Sequence, residues 1–239
     1  MKGRGVPALS ARLRAVASFV TEGNRLADIG TDHAYLPIAL CADGIIPSAI
    51  AADLREGPLE AAGAHVREAG LSERICLRLS DGLAGFKEEE ADTVVIAGMG
   101  GPLIASLLQR SPFPPASIPE WIFEPQSDAS CVRSTLEAQG LCIDQERMVR
   151  EEGKYYPVIR AVPAGAGERR MTEAELIYGP CLLRDRDPVL QELLLRDRER
   201  TNAILQALIG NDSETAQHRV QELREEKRLI ETALAYYEM

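Results

Sequence analysis

Short apolar runs alternate regularly with helical segments between residues 25 and 139, and this rhythm constrains the fold more than any other feature. The apolar runs have the length of buried strands, and the segments between them carry apolar residues at helical spacing. The predicted strands are Arg25–Ile29, Ala49–Asp53, Ile75–Leu79, Thr93–Ala97 and Trp121–Glu124, and the predicted helices are Leu36–Cys41, Pro58–Ala69, Leu103–Gln109 and Ala129–Gln139. Such alternation predicts βαβ units and a parallel sheet with helices on both faces.

Two extended runs follow the alternating region without a helix between them. The runs are Leu141–Val149 and Tyr155–Val162, and the intervening residues 151–154 have the composition of a turn, which predicts an antiparallel hairpin. Five parallel strands closed by this hairpin make an α/β fold with a seven-stranded sheet. Ahead of the sheet, residues 8–20 carry apolar side chains at helical spacing and are predicted to form an amphipathic helix.

The chain after Pro163 is predicted to form a separate helical unit. Residues 163–167 have the composition of a linker, which predicts domains at 1–163 and 168–239. The predicted helices cover about Glu173–Asp185, a segment that opens at Pro188, and a segment capped by Ser213 after a break at Gly210, Asn211 and Asp212. The last two repeat apolar residues at a spacing typical of a short coiled coil, and a plain packing hairpin is the alternative.

The composition excludes several classes of protein. The 239 residues carry a formal net charge of −10, which argues against a general nucleic-acid binder because phosphate contacts need Lys and Arg. Arg12 and Arg14 belong to a basic N-terminal stretch that predicts a local binding patch, with a solvated helix as the alternative. The sequence has no apolar run of membrane-spanning length and no signal-peptide core, so we expect a cytoplasmic protein. Its cysteines and histidines are dispersed, so we expect no metal site.

Acidic residues and glycines follow the first three predicted strands, where loops would face a ligand. Asp28 and Gly30 end the first strand, Asp53 ends the second, and Asp81 follows the third. A separation of roughly 20 residues between the first glycine and the next strand-end carboxylate suits binding of a ribose diol. The pattern predicts a nucleotide over the carboxyl edge of the sheet. The alternative is that Asp53 and Asp81 only form turns.

A cationic cofactor fits these residues better than a dinucleotide or a nucleoside triphosphate. A dinucleotide fingerprint requires glycines where Asp32 and Tyr35 stand, and a carboxylate would repel the pyrophosphate. The sequence also lacks the lysine-containing glycine loop of nucleoside triphosphatases. S-adenosylmethionine carries a sulfonium and an ammonium, which Asp28 and Asp32 would attract, while Asp53 would hold the ribose.

Glycines dominate the end of the fourth predicted strand, in the run Ala97-Gly98-Met99-Gly100-Gly101. We expect a loop without bulk that lets a planar group lie beside a reactive methyl group, and a tight turn required by packing is the alternative. The run lacks the polar-Pro-Pro-aromatic sequence with which many methyltransferases accept the proton of an exocyclic amine.

Five motifs together resemble the TrmK family, bacterial tRNA methyltransferases that modify N1 of the adenosine at tRNA position 22. The motifs are ADIGTDHAYLP from residue 27, GPLEAA from residue 57, SDGL from residue 80, IAGMGG from residue 96 and EPQ from residue 124. The resemblance is tight over residues 9–160 and architectural beyond, and Glu124 replaces the aliphatic residue usual in the family. It implies a Rossmann-like class I methyltransferase fold, S-adenosyl-L-methionine as cofactor, tRNA as substrate and a coiled-coil-like C-terminal hairpin.

The implied acceptor decides what the catalytic residues must do. Adenine N1 has a free lone pair at neutral pH, so no base has to remove a proton before attack, and the product is cationic. We expect Asp32 to supply negative potential and Tyr35, or Tyr155 and Tyr156 on the hairpin, to stack on the base. Packing on the strand face is the alternative for at least one of the two hairpin tyrosines. We expect His33 to orient the base, and a simple hydrogen-bonding role in the loop is its alternative.

The site residues fall into three groups. The expected catalytic residues are Asp32, His33 and Tyr35. The expected cofactor-binding residues are Asp28, Gly30, Asp53, Leu54, Asp81, Gly82, Ala97, Gly98 and Met99. The expected substrate-binding residues are Arg12, Arg14, Gly100, Gly101 and Tyr155. The enzyme is expected to be a monomer; a methyltransferase acting on another RNA or a small molecule, and a non-catalytic RNA-binding scaffold, are the alternative functions.

Overall fold

The computed structural model describes residues 6–165, 169–209 and 213–238. The chain divides into two compact units, Met1–Arg169 and Arg170–Met239. The predicted linker falls at this division, although Ala166 and Gly167 lie outside the described residues. The domain limits 1–163 and 168–239 stay a prediction.

A seven-stranded sheet forms the centre of the first unit. Its strands are β1 (Leu26–Ile29), β2 (Ala49–Asp53), β3 (Ile75–Leu79), β4 (Thr93–Gly100), β5 (Glu120–Ser127), β6 (Leu141–Glu151) and β7 (Lys154–Pro163). Their spatial order is β3-β2-β1-β4-β5-β7-β6. The first five run parallel, and β7 pairs antiparallel with both β5 and β6. The predicted α/β fold with a seven-stranded sheet is confirmed.

Five helices accompany the sheet. Helix α1 (Ala11–Ala17) precedes β1, the helices α2 (Tyr35–Ala42), α3 (Glu56–Glu68) and α4 (Gly101–Gln109) connect parallel strands, and α5 (Ala129–Ala138) leads from β5 to β6. Strand β1 is buried throughout, β5 over most of its length and β4 over its first half, as expected when helices cover both faces of a parallel sheet. The strand order reverses between β1 and β4, and such a reversal opens a crevice at the carboxyl ends of the strands.

Helix α1 is shorter than the predicted segment 8–20. Ser10 caps its start, because the side-chain oxygen of Ser10 accepts a hydrogen bond from the Leu13 amide. At its end the Phe19 amide bonds to the Val16 carbonyl, three residues back, so the regular helical bonding stops. The apolar spacing in the sequence therefore extends beyond the end of the helix, into a turn in which Phe19 and Val20 are still buried.

The glycine run after Ile96 does not form the predicted loop. Strand β4 continues through Gly98, where φ is +79°, to Gly100, with register shifts against β5, and Gly101 is the first residue of α4. A Cβ atom on Gly101 would lie 2.2 Å from the Asp128 carbonyl oxygen. Gly101 therefore serves the close packing of α4 against the β5–α5 connection, without the tight turn that the alternative expected.

The second unit consists of helices. They are α6 (Glu173–Tyr178), α7 (Pro180–Arg184), α8 (Pro188–Ala207) and α9 (Glu214–Leu234). The predicted single helix 173–185 is wrong, because Gly179 has a φ of +99° and Pro180 starts a new helix. Asp187 and Ser213 cap α8 and α9, as the sequence predicted for Ser213.

Helices α8 and α9 pack antiparallel. Ion pairs join Arg198 to Glu231 and Arg200 to Glu226, so the two helices run in opposite directions. Leu190 and Leu194 are buried on α8, and Leu223 is buried on α9. The coiled-coil assignment stays a prediction, and the predicted break at residues 210–212 lies outside the described residues. Within the described ranges no helix is long and apolar enough to cross a membrane.

The packing at Gly101 predicts a stability difference between two glycine variants. In Gly101→Ala the new methyl group would meet backbone oxygens of Asp128 and Ser127 at 2.2 and 2.7 Å, which cannot rotate away. We expect a loss of about 1–3 kcal/mol in urea unfolding. In the control Gly57→Ala, no atom lies within 4 Å of the new methyl. Its helix should be unchanged or stabilised by about 0.5–1 kcal/mol, and equal losses in both variants would contradict the packing role.

Candidate active site

A cavity of about 430 Å³ opens at the carboxyl ends of the parallel strands, on the reversal between β1 and β4. Its walls come from α1, the β1–α2 loop and the ends of β2, β4 and β5. The side chains and glycines that line it are Arg12, Leu13, Asp28, Gly30, Thr31, Asp32, His33, Tyr35, Leu36, Asp53, Arg55, Ala97, Gly98, Met99, Glu124 and Gln126. Ten of the expected site residues thus come together in one cavity.

The loop from β1 to α2 turns through three left-handed residues, Gly30, Asp32 and Ala34, with φ values of +76°, +52° and +57°. A left-handed alanine is unfavourable, so the surrounding structure holds this conformation. The Gly30 and Thr31 amides donate to the Ala52 carbonyl at 2.8 and 2.9 Å, which ties the loop to the end of β2. The loop therefore presents Asp32 outward, with 65% of its side chain exposed.

Asp28 is a buried carboxyl group beneath this loop, with only 6% of the residue exposed. Its Oδ2 accepts a hydrogen bond of 2.6 Å from the Thr31 hydroxyl. Burial raises the pKa of Asp28 to about 6; the Thr31 hydroxyl opposes this shift, and the neighbouring Asp53 carboxylate adds to it. The cavity therefore holds a carboxyl group whose ionisation is unfavourable unless a cation lies nearby.

A second, smaller cavity of about 190 Å³ shares Gly30, Asp53, Arg55 and Met99 with the first. The expected cofactor residues Leu54, Asp81 and Gly82 line it, together with the apolar side chains of Leu103 and Leu107. The two cavities form a continuous groove across the ends of β1, β2, β3 and β4.

Two carboxyl groups stand at this groove. Asp53 is buried, with 7% of the residue exposed, and its Oδ1 accepts a hydrogen bond of 2.9 Å from the Arg55 amide. Asp81 lies 3.2 Å from the Arg110 guanidinium, and both are about half exposed. Asp53 therefore has a fixed orientation, while Asp81 is accessible from solvent.

Arg12 is held by carboxylates and by an aromatic ring. Its Nε donates to Glu151 at 2.7 Å, its Nη1 lies 3.2 Å from both oxygens of Glu124, and its guanidinium lies 4.7 Å from the centre of the Tyr156 ring. Glu124 is 1% exposed and also accepts the Gly98 amide at 2.8 Å. Burial raises the pKa of Glu124, and the charge of Arg12 opposes that shift. Arg12 is thus neutralised within the wall of the cavity instead of offering a free charge to phosphate.

Three rings lie together at the mouth of the cavity. His33 stacks on Tyr35 with ring centres 5.0 Å apart, and His65 from α3 lies 5.4 Å from His33 and 5.2 Å from Tyr35. The Nε2 atom of His33 lies 3.5 Å from Asp32. His65 is 32 residues from His33 along the chain, so the dispersed histidines of the sequence did not predict this cluster.

Four of the expected substrate-binding residues line neither of these cavities: Arg14, Gly100, Gly101 and Tyr155. The guanidinium of Arg150 lies 6.0 Å from the centre of the Tyr155 ring, whereas the guanidinium of Arg12 lies over the ring of the neighbouring Tyr156. Successive residues of a strand point to opposite faces, so Tyr155 points away from the face that Tyr156 shares with Arg12. Tyr155 therefore does not share the face of Arg12, and its role in substrate binding stays a prediction.

Several residues that line the cavity were not predicted from the sequence. Thr31 and Arg55 follow predicted site residues directly, and Gln126 follows Glu124 in the EPQ motif. The position after a strand was the available signal for all three. The ion pair of Glu124 with Arg12 joins residues 112 positions apart, and no local pattern could have revealed it.

The groove fits S-adenosylmethionine on three observations. The buried Asp28 carboxyl group favours a cationic ligand, Asp53 stands at the end of β2 where a ribose diol would bind, and exposed Leu54 and Leu103 offer apolar contact to a purine. In the described ranges no group of three or more His, Cys, Asp and Glu side chains could hold a metal ion.

Comparisons with known proteins agree with this geometry. Residues 9–159 match the family described as Methyltransferase domain. The curated tRNA (adenine(22)-N(1))-methyltransferase of Bacillus subtilis (strain 168) is 31% identical over 233 residues, which cover 95% of this chain and 97% of the relative.

Two solved structures carry a bound cofactor or its product. A Streptococcus pneumoniae protein in complex with S-adenosyl-L-methionine has a TM-score of 0.83 and 33% identity, covering 95% of this chain and all of that one (100%). The M. capricolum TrmK, in complex with S-adenosyl-homocysteine, has a TM-score of 0.76 and 27% identity, covering 93% of this chain and 99% of that one.

The raised pKa of Asp28 predicts a pH-dependent stability difference. The native carboxyl group has a pKa of about 6 against an ordinary 3.8, so between these values the folded chain binds more protons than the unfolded chain. Its contribution to unfolding free energy then falls as pH rises. Relative to Asp28→Asn, the parent should lose roughly 2–3 kcal/mol between pH 4 and pH 7 in urea titrations. The exposed control Asp43→Asn should follow the parent, and parallel curves for Asp28→Asn would contradict the burial cost.

Proposed function

The chain belongs to the TrmK family of tRNA (adenine(22)-N1)-methyltransferases, and we propose that it transfers the methyl group of S-adenosylmethionine to N1 of an adenosine, at position 22, in tRNA. The single observation that carries this proposal is the groove at the β1/β4 reversal, where a buried acidic site adjoins an apolar purine-sized site. The high coverage of the relatives, which extends through the second unit, supports the substrate as well as the cofactor.

The cofactor-binding half of the site rests on Asp28, Asp53 and Asp81. We assign Asp28 to electrostatic attraction of the cationic end of the cofactor, Asp53 to the ribose hydroxyls and Asp81 to the adenine amino group. Gly30 and Gly82 allow close approach of the backbone, and Leu54, Ala97, Gly98 and Met99 line the groove. When bound, the cofactor supplies an electrophilic methyl group on a sulfonium.

The acceptor half needs orientation and negative potential instead of a general base. The N1 lone pair of adenine attacks without prior loss of a proton, and positive charge develops on the ring. Asp32, largely exposed at the cavity mouth, is assigned to stabilise that charge. The stacked rings of His33 and Tyr35 form the surface on which a base leaving its stack would rest.

Contacts to the body of tRNA are assigned to exposed arginines. Arg14 is exposed on α1, whereas Arg12 is neutralised by Glu124 and Glu151. Arg200 of α8 also forms an ion pair, with Glu226, so its charge is partly compensated within the protein. We therefore assign Arg14 to phosphate contact and Arg12 to shaping the cavity. We further propose that the enzyme acts in the cytoplasm, as a monomer and without a metal ion.

The test is nucleoside analysis of total bacterial tRNA incubated with the enzyme and labelled S-adenosylmethionine. We expect 1-methyladenosine as the labelled nucleoside. Asp53→Ala should weaken cofactor binding in calorimetry by about 1–3 kcal/mol, because the ribose hydroxyls lose their partner. The exposed carboxylate variant Asp43→Ala serves as the matched control and should bind as the parent does.

Label in another nucleoside would refute the adenine-N1 assignment. Label in no nucleoside, with cofactor binding intact, would refute the tRNA assignment. Unchanged cofactor affinity in Asp53→Ala would refute the placement of the ribose.

A further inference from the structure

Strand β5 presents two side chains to the large cavity, Glu124 and Gln126, separated by Pro125. Alternate residues of a strand share a face, which explains why both reach the cavity. The carboxylate of Glu124 is buried and fully engaged, because it accepts the Gly98 amide and pairs with Arg12. Glu124 therefore has no accessible oxygen to offer to a substrate.

Gln126 differs from Glu124 in its exposure and in its hydrogen bonding. It is exposed, and its side-chain amide makes no hydrogen bond with any residue in the described part of the chain. A Cβ atom built on Gly98 would lie 3.8 Å from its Nε2 atom, so the amide stands directly beside the end of β4. The bulged β4 and the anchored Glu124 thus hold a free donor and a free acceptor at the wall of the cavity.

A primary amide matches one edge of adenine. Its oxygen accepts from the N6 amino group while its nitrogen donates to N7, the bidentate pairing that Gln and Asn form with adenine in nucleic-acid complexes. This pairing leaves N1 unobstructed. Guanine presents two acceptors, O6 and N7, on the same edge, so the amide oxygen would have no donor to meet.

We propose that Gln126 reads the N6/N7 edge of the target adenine and so fixes N1 as the atom that faces the methyl donor. The inference rests on the proposed function and deepens it by naming a residue that recognises the base. Asp32 complements this role, because the N6 amino group has a second hydrogen, on the N1 side, for a carboxylate at the same cavity. The two residues together would hold the amino group from both sides.

The test compares two tRNA transcripts that carry either adenosine or 7-deazaadenosine at position 22. The deaza base keeps N1 and N6 but has C–H in place of N7. For the parent enzyme we expect kcat/KM to be about 3- to 10-fold lower on the deaza transcript, because one of the two hydrogen bonds of the pair is lost. For Gln126→Glu we expect the preference to vanish or reverse, because a carboxylate repels the N7 lone pair but tolerates C–H.

Two controls separate base reading from structural damage. Calorimetric affinity for S-adenosylmethionine should be no weaker in Gln126→Glu than in the parent, because a carboxylate added to the wall of the cavity does not repel the cationic cofactor. Gln145→Glu places the same charge change on exposed β6, away from both cavities, and should keep the parental preference.

The outcomes are distinguishable. Equal parental rates on the two transcripts, or a parental preference retained by Gln126→Glu, would overturn the role of Gln126 while leaving the proposed function intact. A parent enzyme that methylates neither transcript would overturn the proposed function, and the inference would fall with it.

Discussion

The burial of the Asp28 carboxyl group is the constraint on which the rest of the site depends. A carboxylate in an apolar sheet end is unfavourable unless donors or cations compensate it, and the Thr31 hydroxyl supplies one donor. The left-handed loop that follows brings Thr31 over Asp28 and turns Asp32 outward to the cavity. The loop conformation thus buries the carboxyl group of Asp28, which suits a cationic cofactor, and exposes that of Asp32. The exposed carboxylate suits the base, which becomes cationic on methylation.

Glu124 plays the corresponding part on the other side of the cavity. Its carboxylate joins Arg12 of α1 to the Gly98 amide of β4, and Arg12 continues to Glu151 at the end of β6. Removing one partner of such a buried pair leaves an uncompensated charge, which is strongly unfavourable. The N-terminal helix is therefore fixed to the sheet, and the end of β4 is held in the irregular conformation that admits Gln126 to the cavity.

The sequence predicted the sheet and the main groove because both follow from local patterns. Strand–helix alternation predicted the five parallel strands, two extended runs without a helix predicted the hairpin, and strand-end acids such as Asp28 and Asp53 predicted the groove. It did not predict the break at Gly179–Pro180, although glycine and proline are local signals for the end of a helix. The close packing of Gly101 against Asp128 depends on a tertiary contact that no local pattern shows. The neutralisation of Arg12 and the ring contact of His65 with His33 depend on residues far apart in the chain. Charge counting and spacing cannot reveal such pairs.

The most direct test of this account measures cofactor affinity against pH with two ligands, S-adenosylmethionine and 5′-methylthioadenosine. The second ligand shares the adenosine group but carries no sulfonium or ammonium. Between pH 5 and pH 7, Asp28 loses its proton, since its pKa is about 6. Calorimetric affinity for S-adenosylmethionine should then rise by about tenfold, while that for methylthioadenosine stays constant. An equal pH response of both ligands, or a flat response to S-adenosylmethionine, would contradict the account.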